Sequence, residues 1–220
     1  MYRLTRALTV AALATTMTVV SGGSASADRW WGADRTGDVE QWSLSSEPPP
    51  CGTVERDPAP RDASTDIVGL SVRHEDETVE VRVHFRNLTG WGRRSLDFSL
   101  PTDHRAYAIH LVRDPEEYTG APVLWAAHPP SDLNGCGYSI LLTRVTCPEL
   151  SMSRSSRRDF VSVVVPRQCL GTPRWVRAGV RNQRSAHGEL HTDAWRTDVL
   201  DEPPTTPVLD TLGPRVRHSR

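Results

Sequence analysis

The run Val79, Val81, Val83 and Phe85, alternating with Glu80, Arg82, His84 and Arg86, constrains this chain more than any other feature. A period of two places one set on each face of an extended strand, whereas a helix would mix them. The aliphatic set must lie against a second layer, and the charged set faces outward. Just upstream, Val68, Leu70 and Val72 alternate with Gly69, Ser71 and Arg73. The polar stretch between the two runs, residues 74–78, supplies a turn, so together they predict a β-hairpin.

Further short strands follow. Leu96, Phe98 and Leu100 alternate up to Pro101, and Tyr107, Ile109 and Leu111 alternate up to the Asp114-Pro115 turn. Residues 123–127, 138–145, 160–165 and 175–180 are apolar enough for four more, the last being the final firm strand. Asn182 to Ala186 reads as a loop. Beyond the N-terminal segment no helical period persists over ten residues, and 17 Pro and 15 Gly favour turns. The expected fold is all-β: an antiparallel, jelly-roll-like β-sandwich of about eight to ten strands.

The N-terminus fits a secretory signal peptide over 1–27. Arg3 and Arg6 precede an uncharged stretch, 7–20, and Ala25-Ser26-Ala27 matches the small-residue cleavage pattern. The apolar stretch is too short to span a bilayer. The expected product is secreted, extracellular and monomeric, with no membrane contact after cleavage. The folded domain spans 28–198. Residues 199–220, with Pro203, Pro204, Pro207 and Pro214, read as a disordered tail. An even number of cysteines outside the cell predicts two disulfides. The preferred pairing is Cys147–Cys169 with Cys51–Cys136, and the alternative joins Cys136 to Cys147. A four-cysteine zinc site lacks any C-x-x-C spacing.

All 26 basic residues are Arg, and net charge is −1. Lysine Schiff-base and P-loop chemistry are excluded, and no basic field recruits nucleic acid. No G-x-S-x-G, H-E-x-x-H or G-x-G-x-x-G occurs. An enzyme is therefore the less favoured class.

Four sets of residues carry candidate chemistry. Among seven Trp, Trp91 lies between two glycines and is the first choice for an exposed sugar-stacking ring, followed by Trp30 and Trp31. Trp125, Trp175 and Trp195 read as core. Asp28, Asp34 and Asp38, near Gly32 and Gly37, offer hard oxygen ligands for calcium, or simply cap turns. His187, Glu189, His191 and Asp193 share one face if extended and fit zinc or copper. The row Glu80, Arg82, His84 and Arg86 is either an anion-binding face or a solvated one.

The blocks Thr36-Gly-Asp-Val39, Asp66 to His74, the strand from Val79 to Leu88, and Val161 to Val176 through Pro166-Arg-Gln-Cys-Leu-Gly-Thr-Pro resemble a group of uncharacterised small secreted actinobacterial proteins. The Cys147 and Cys169 bracket fits that group. More remotely, the opening Gly-Asp segment with its following alternating strands resembles the β-sandwich of family-9 carbohydrate-binding modules and DOMON domains. That resemblance implies a sandwich and ligand binding. It does not place the paired Trp of the modules here, and Met152 gives little support to DOMON-type haem ligation. The expected function is a secreted non-catalytic module that binds an extracellular ligand such as a polysaccharide. The alternatives are a hydrolase built from His and Asp/Glu, and a structural or partner-binding extracellular protein.

Overall fold

The computed structural model describes residues 28–44, 54–89, 93–114, 118–128, 131–132, 138–139, 141–186, 189–195 and 211–218. In chain order the strands are β1 (Arg29–Ala33), β2 (Glu40–Leu44), β3 (Val54–Pro58), β4 (Ile67–His74), β5 (Thr78–Phe85), β6 (Arg94–Pro101), β7 (Ala106–Asp114), β8 (Tyr118–Thr119) and β9 (Val123–Ala127). Then come β10 (Ser131–Asp132), β11 (Tyr138–Ser139), β12 (Leu142–Arg144), β13 (Ser151–Ser155), β14 (Phe160–Pro166), β15 (Trp175–Val176), β16 (Gly179–Ala186), β17 (Glu189–Ala194) and β18 (Val216–Arg217). A single 3-10 turn, Arg167–Leu170, is the helical element among the described residues. None there is long and apolar enough to cross a membrane.

The strands form two large antiparallel sheets. The first has the order β1-β4-β5-β14-β13, and the second β12-β9-β7-β6-β16-β17-β2-β3, with β8 beside β7. The 67–85 hairpin forms as its alternation requires. Val79, Val81, Val83 and Phe85 are buried, while Glu80, Arg82 and His84 on the opposite face are half-buried. Leu70 and Val72 of β4 and Val161, Val163 and Val165 of β14 join them, and Leu96, Phe98, Leu100, Ile109, Leu124 and Val180 of the second sheet belong to the same buried cluster. Each such side chain contributes about 1.5–3 kcal/mol on burial.

Several elements depart from the expectation. The described residues hold 18 strands, more than the expected eight to ten; five are two-residue pairings, and others such as β3 and β13 are polar, so neither kind carries a periodic signal. The 175–180 stretch is two strands, since β15 pairs with β18 and β16 pairs with β6 and β17. Asn182–Ala186 belongs to β16, with Asn182 and Arg184 reaching Thr65 and Asp62 at a polar end of the core that periodicity does not reveal. Residues 211–218 are ordered rather than a disordered tail. Val216 is buried, and Arg177 donates from Nε and Nη2 to the carbonyls of Gly213 and Leu212. Residues 199–210 lie outside the described set.

The Cys147–Cys169 disulfide is present, with Cα atoms 5.7 Å apart, and closes the segment containing the β13–β14 hairpin. Cys51 and Cys136 lie outside the described residues. In the second sheet, Arg181, Asp97 and His110 align across β16, β6 and β7. Arg181 Nη2 lies 3.3 Å from Asp97 Oδ2, and His110 Nδ1 hydrogen-bonds Asp97 Oδ1. The bond to Asp97 is the main reason the His110 imidazole titrates above its ordinary range, against the opposing pull of burial.

Replacing both Cys147 and Cys169 with Ser should lower unfolding free energy by about 3 kcal/mol, read by denaturant titration. A raised histidine pKa stabilises the fold below the unfolded value, and that increment is lost as pH rises through the folded value. The His110 increment should therefore be lost as pH rises above the ordinary histidine range, and His110→Gln should remove that part of the profile, read by denaturant titration across pH.

Candidate functional site

The outer face of the first sheet is organised by register. Trp31, Ser71, Arg82, Ser162 and Ser153 form one row across its five strands, and Arg29, Arg73, Glu80, Val164 and Ser151 form the next. β1 is an edge strand, so its two Trp fall on opposite faces. Trp30 turns inward, edge-on to Trp195 at 5.2 Å between centroids. Trp31 turns outward and remains 52% exposed. Its indole occupies the space that a side chain at position 69 would need. A Cβ on Gly69 would sit 2.3 Å from the Trp31 ring. The Trp31 and His84 rings meet at 76°, centroids 4.8 Å apart.

Beside Trp31 opens a groove of about 440 Å³, lined by Arg29, Ser71, Arg73, Glu80 and Arg82, with Trp30 at its border. Two of the three guanidinium groups here engage Glu80. Arg82 Nη2 donates to Glu80 Oε1 at 2.6 Å, and Arg73 Nη1 lies 3.7 Å from Glu80 Oε2. Arg73 Nη2 also lies 2.7 Å from Glu75 Oε1, and Arg29 Nε lies 3.4 Å from Asp28 Oδ1, both in exposed pairs. Arg82 stacks over Phe160, 4.4 Å from the ring centroid, which holds its guanidinium plane in place.

A second polar group lies at one end of the core. Asp62 accepts hydrogen bonds from Ser64, Thr65 and Arg184, and His191 Nδ1 lies 2.8 Å from its Oδ2. Burial alone would raise its pKa, but the bonds from Thr65, Arg184 and Ser64 outweigh this and hold the carboxyl well below the usual range. Arg94, also buried here, is drawn down to about 10, chiefly by burial, and stays charged at neutral pH.

Next to this network, carboxylate oxygens of Asp38, Asp66 and Asp193 lie within 4.8 Å of one another. Asp193 Oδ2 accepts from the Ile67 backbone N–H at 2.6 Å. Asp66 Oδ2 accepts from Gly37 N–H at 2.7 Å and lies 3.1 Å from Arg86 Nε. Burial raises both carboxyls. For Asp193 the neighbouring charges of Asp38, Asp34 and Asp66 add to the effect.

The two sequence-derived metal sets therefore break up and recombine. Asp38 comes from the first set and Asp193 from the second, and Asp66 belongs to neither. Asp28 lies at the start of β1 beside Arg29, and Asp34 Oδ1 accepts the Arg35 N–H in a turn. Both fall outside the triad. Glu189, His191 and Asp193 do share a face of β17, but His191 turns to Asp62 and Glu189 is exposed 3.7 Å from it. His187 and Trp91 lie outside the described residues. Trp195 is core, as expected, whereas Trp125 and Trp175 are half-buried. Asp66 ends a turn-rich stretch before an alternating strand, where sequence patterning alone does not separate a buried ligand from a cap.

Asp62→Asn leaves Arg184 and His191 facing a neutral amide. It should cost about 3 kcal/mol, read by denaturant titration at neutral pH. No family model, curated protein or solved structure matches this chain.

Proposed function

We propose that this chain is a secreted, non-catalytic module whose two sheets stack as a β-sandwich and which binds a polysaccharide on the outer face of the first sheet. The exposed Trp31 indole, lying over Gly69 beside an arginine-lined groove, carries the reading. An exposed indole offers its π-face to the C–H face of a pyranose. Arg29, Arg73 and Arg82 donate to ring hydroxyls or carboxylates, and Glu80 accepts from hydroxyls. The exposed pairs Arg29–Asp28 and Arg73–Glu75 are weak in water, so the carboxylates of an acidic chain, such as a uronic-acid polymer, compete for these arginines where a neutral chain does not. The groove volume falls within the usual range for small-ligand sites.

The same features support binding over hydrolysis. A glycosidase of the common two-carboxylate type needs a pair of acids flanking the scissile bond. Glu80 is the single carboxylate lining this groove, and it is engaged by two arginines. A signal peptide over 1–27, a Cys51–Cys136 disulfide and membership of the small secreted actinobacterial group belong to this proposal. Trp30, placed towards the core, acts as a support for β1 rather than as a second stacking ring.

Affinity electrophoresis through gels containing neutral or uronic-acid polysaccharides tests the reading. Retardation should be strongest in the acidic gels. Trp31→Ala should reduce affinity roughly 30-fold, the equivalent of about 2 kcal/mol for loss of a central aromatic contact. Its circular dichroism should match that of the parent. The exposed Met152→Ala serves as control. Equal mobility of parent and Trp31→Ala in every gel, or no retardation at all, would sink the proposal.

A further inference from the structure

We propose that Asp38, Asp66, Asp193 and Asn182 form a calcium site at the polar end of the core, independent of the groove. The triad gathers three carboxylates from separate parts of the chain: the turn between β1 and β2, the residue before β4, and β17. Asp66 is fully buried and Asp193 nearly so. Arg86 pairs with Asp66, and three converging carboxylates offer the hard oxygen ligands that a divalent cation takes.

The buried oxygens supply a separate observation. Asp66 Oδ1 is inaccessible and has no hydrogen-bond partner among the described residues, although Oδ2 of the same group has two contacts. Asn182 Oδ1 is inaccessible and without a partner in the same sense. The orientation of that amide is set by its nitrogen, which donates to the Thr65 carbonyl at 2.7 Å. Asn182 lies directly opposite Asp193 in the β16–β17 register, and Thr65 immediately precedes Asp66. The amide is therefore bracketed by two members of the triad. Buried acceptors without donors are rare, and a bound ion is one of their ordinary explanations.

Ligand chemistry selects the ion. Every candidate donor is a carboxylate or amide oxygen, as hard cations require, and the triad contains no His or Cys. Oxygens around calcium, each about 2.3–2.6 Å from the ion, lie no more than about 5 Å apart, and the triad meets that limit. Calcium accepts irregular all-protein shells, whereas magnesium holds its waters and demands an octahedron. The rival explanation is a proton retained by Asp193, which needs no ion.

Chelator-stripped full-length protein, titrated with calcium chloride and separately with magnesium chloride, tests this by calorimetry and thermal unfolding. Calcium should bind one per chain and raise the unfolding temperature by several degrees at saturation, with magnesium at least tenfold weaker. Asp193→Asn and Asp66→Asn should each weaken calcium binding at least tenfold. If either fails to fold, the half-buried Asp38→Asn gives the same reading. The site is overturned by no heat and no thermal shift with calcium, by a magnesium response equal to calcium's, or by a calcium response unchanged in the variants. No calcium response in the parent, together with retained stability in Asp193→Asn, would assign the cluster to the proton instead.

Discussion

A single hydrogen bond sets the geometry of the polar half of this protein: the Ile67 N–H donates to the buried Asp193 carboxylate at 2.6 Å. Ile67 opens β4 in the first sheet, and Asp193 sits near the end of β17 in the second. The bond fixes where one sheet begins relative to the other, which apolar contact alone does not do, because hydrophobic burial is non-directional. It also brings a carboxyl into the core, and the surroundings answer that cost. Asn182 stands across from Asp193, Arg86 reaches Asp66, and Arg184 with His191 surrounds Asp62. Buried charge of this kind adds little net stability compared with apolar packing. Here the energy comes from the Val, Leu and Phe cluster, and the polar end supplies position.

β1 shows how one strand serves both fold and surface. Successive residues point to opposite faces, so Trp30 and Trp31 cannot do the same job. Trp30 packs on Trp195 and occupies the space that side chains at 32 and 213 would need, since a Cβ on either glycine would lie within 3 Å of its ring. Trp31 uses the missing side chain of Gly69 in the same way on the other face. The strand has few aliphatic residues to bury, and it is held by an aromatic on each face.

The parts of the fold that were legible in the sequence are those where burial alternates cleanly. The 67–85 hairpin and the runs around Phe98 and Ile109 follow from period two alone. β13, Ser-Met-Ser-Arg-Ser, has no apolar face because it is an exposed edge whose only obligation is to pair with β14. β16 was obscured for a different reason. Asn182 and Arg184 point towards the core, but onto its charged end, so a buried face there reads as polar. The metal candidates failed in the same manner. Neighbours in sequence such as His191 and Asp193 share a face of β17, yet His191 turns to Asp62 and Asp193 to the Ile67 N–H. Asp66, the residue that unites Asp38 with Asp193, has no neighbour in sequence that marks it.

The platform and the acid cluster are joined by a short length of chain. Trp31 ends two residues before the turn that carries Asp34, Gly37 and Asp38, and the Gly37 N–H is held by Asp66 Oδ2 at 2.7 Å. Asp34 N–H in turn reaches the Val68 carbonyl at 3.0 Å, extending the β1–β4 pairing by one more bond. Gly37 has φ of 83°, a left-handed conformation that a side chain would strain, so the turn that delivers this N–H depends on glycine. An edge strand with one neighbour frays readily unless its ends are tied. At its first residue β1 is tied by Asp28, whose carbonyl accepts the His74 N–H. At the other end the tie is Asp66. The turn that ends β1 is therefore held through the same Asp66 carboxyl that enters the acid cluster, so the end of the strand and the polar end of the core share one anchor.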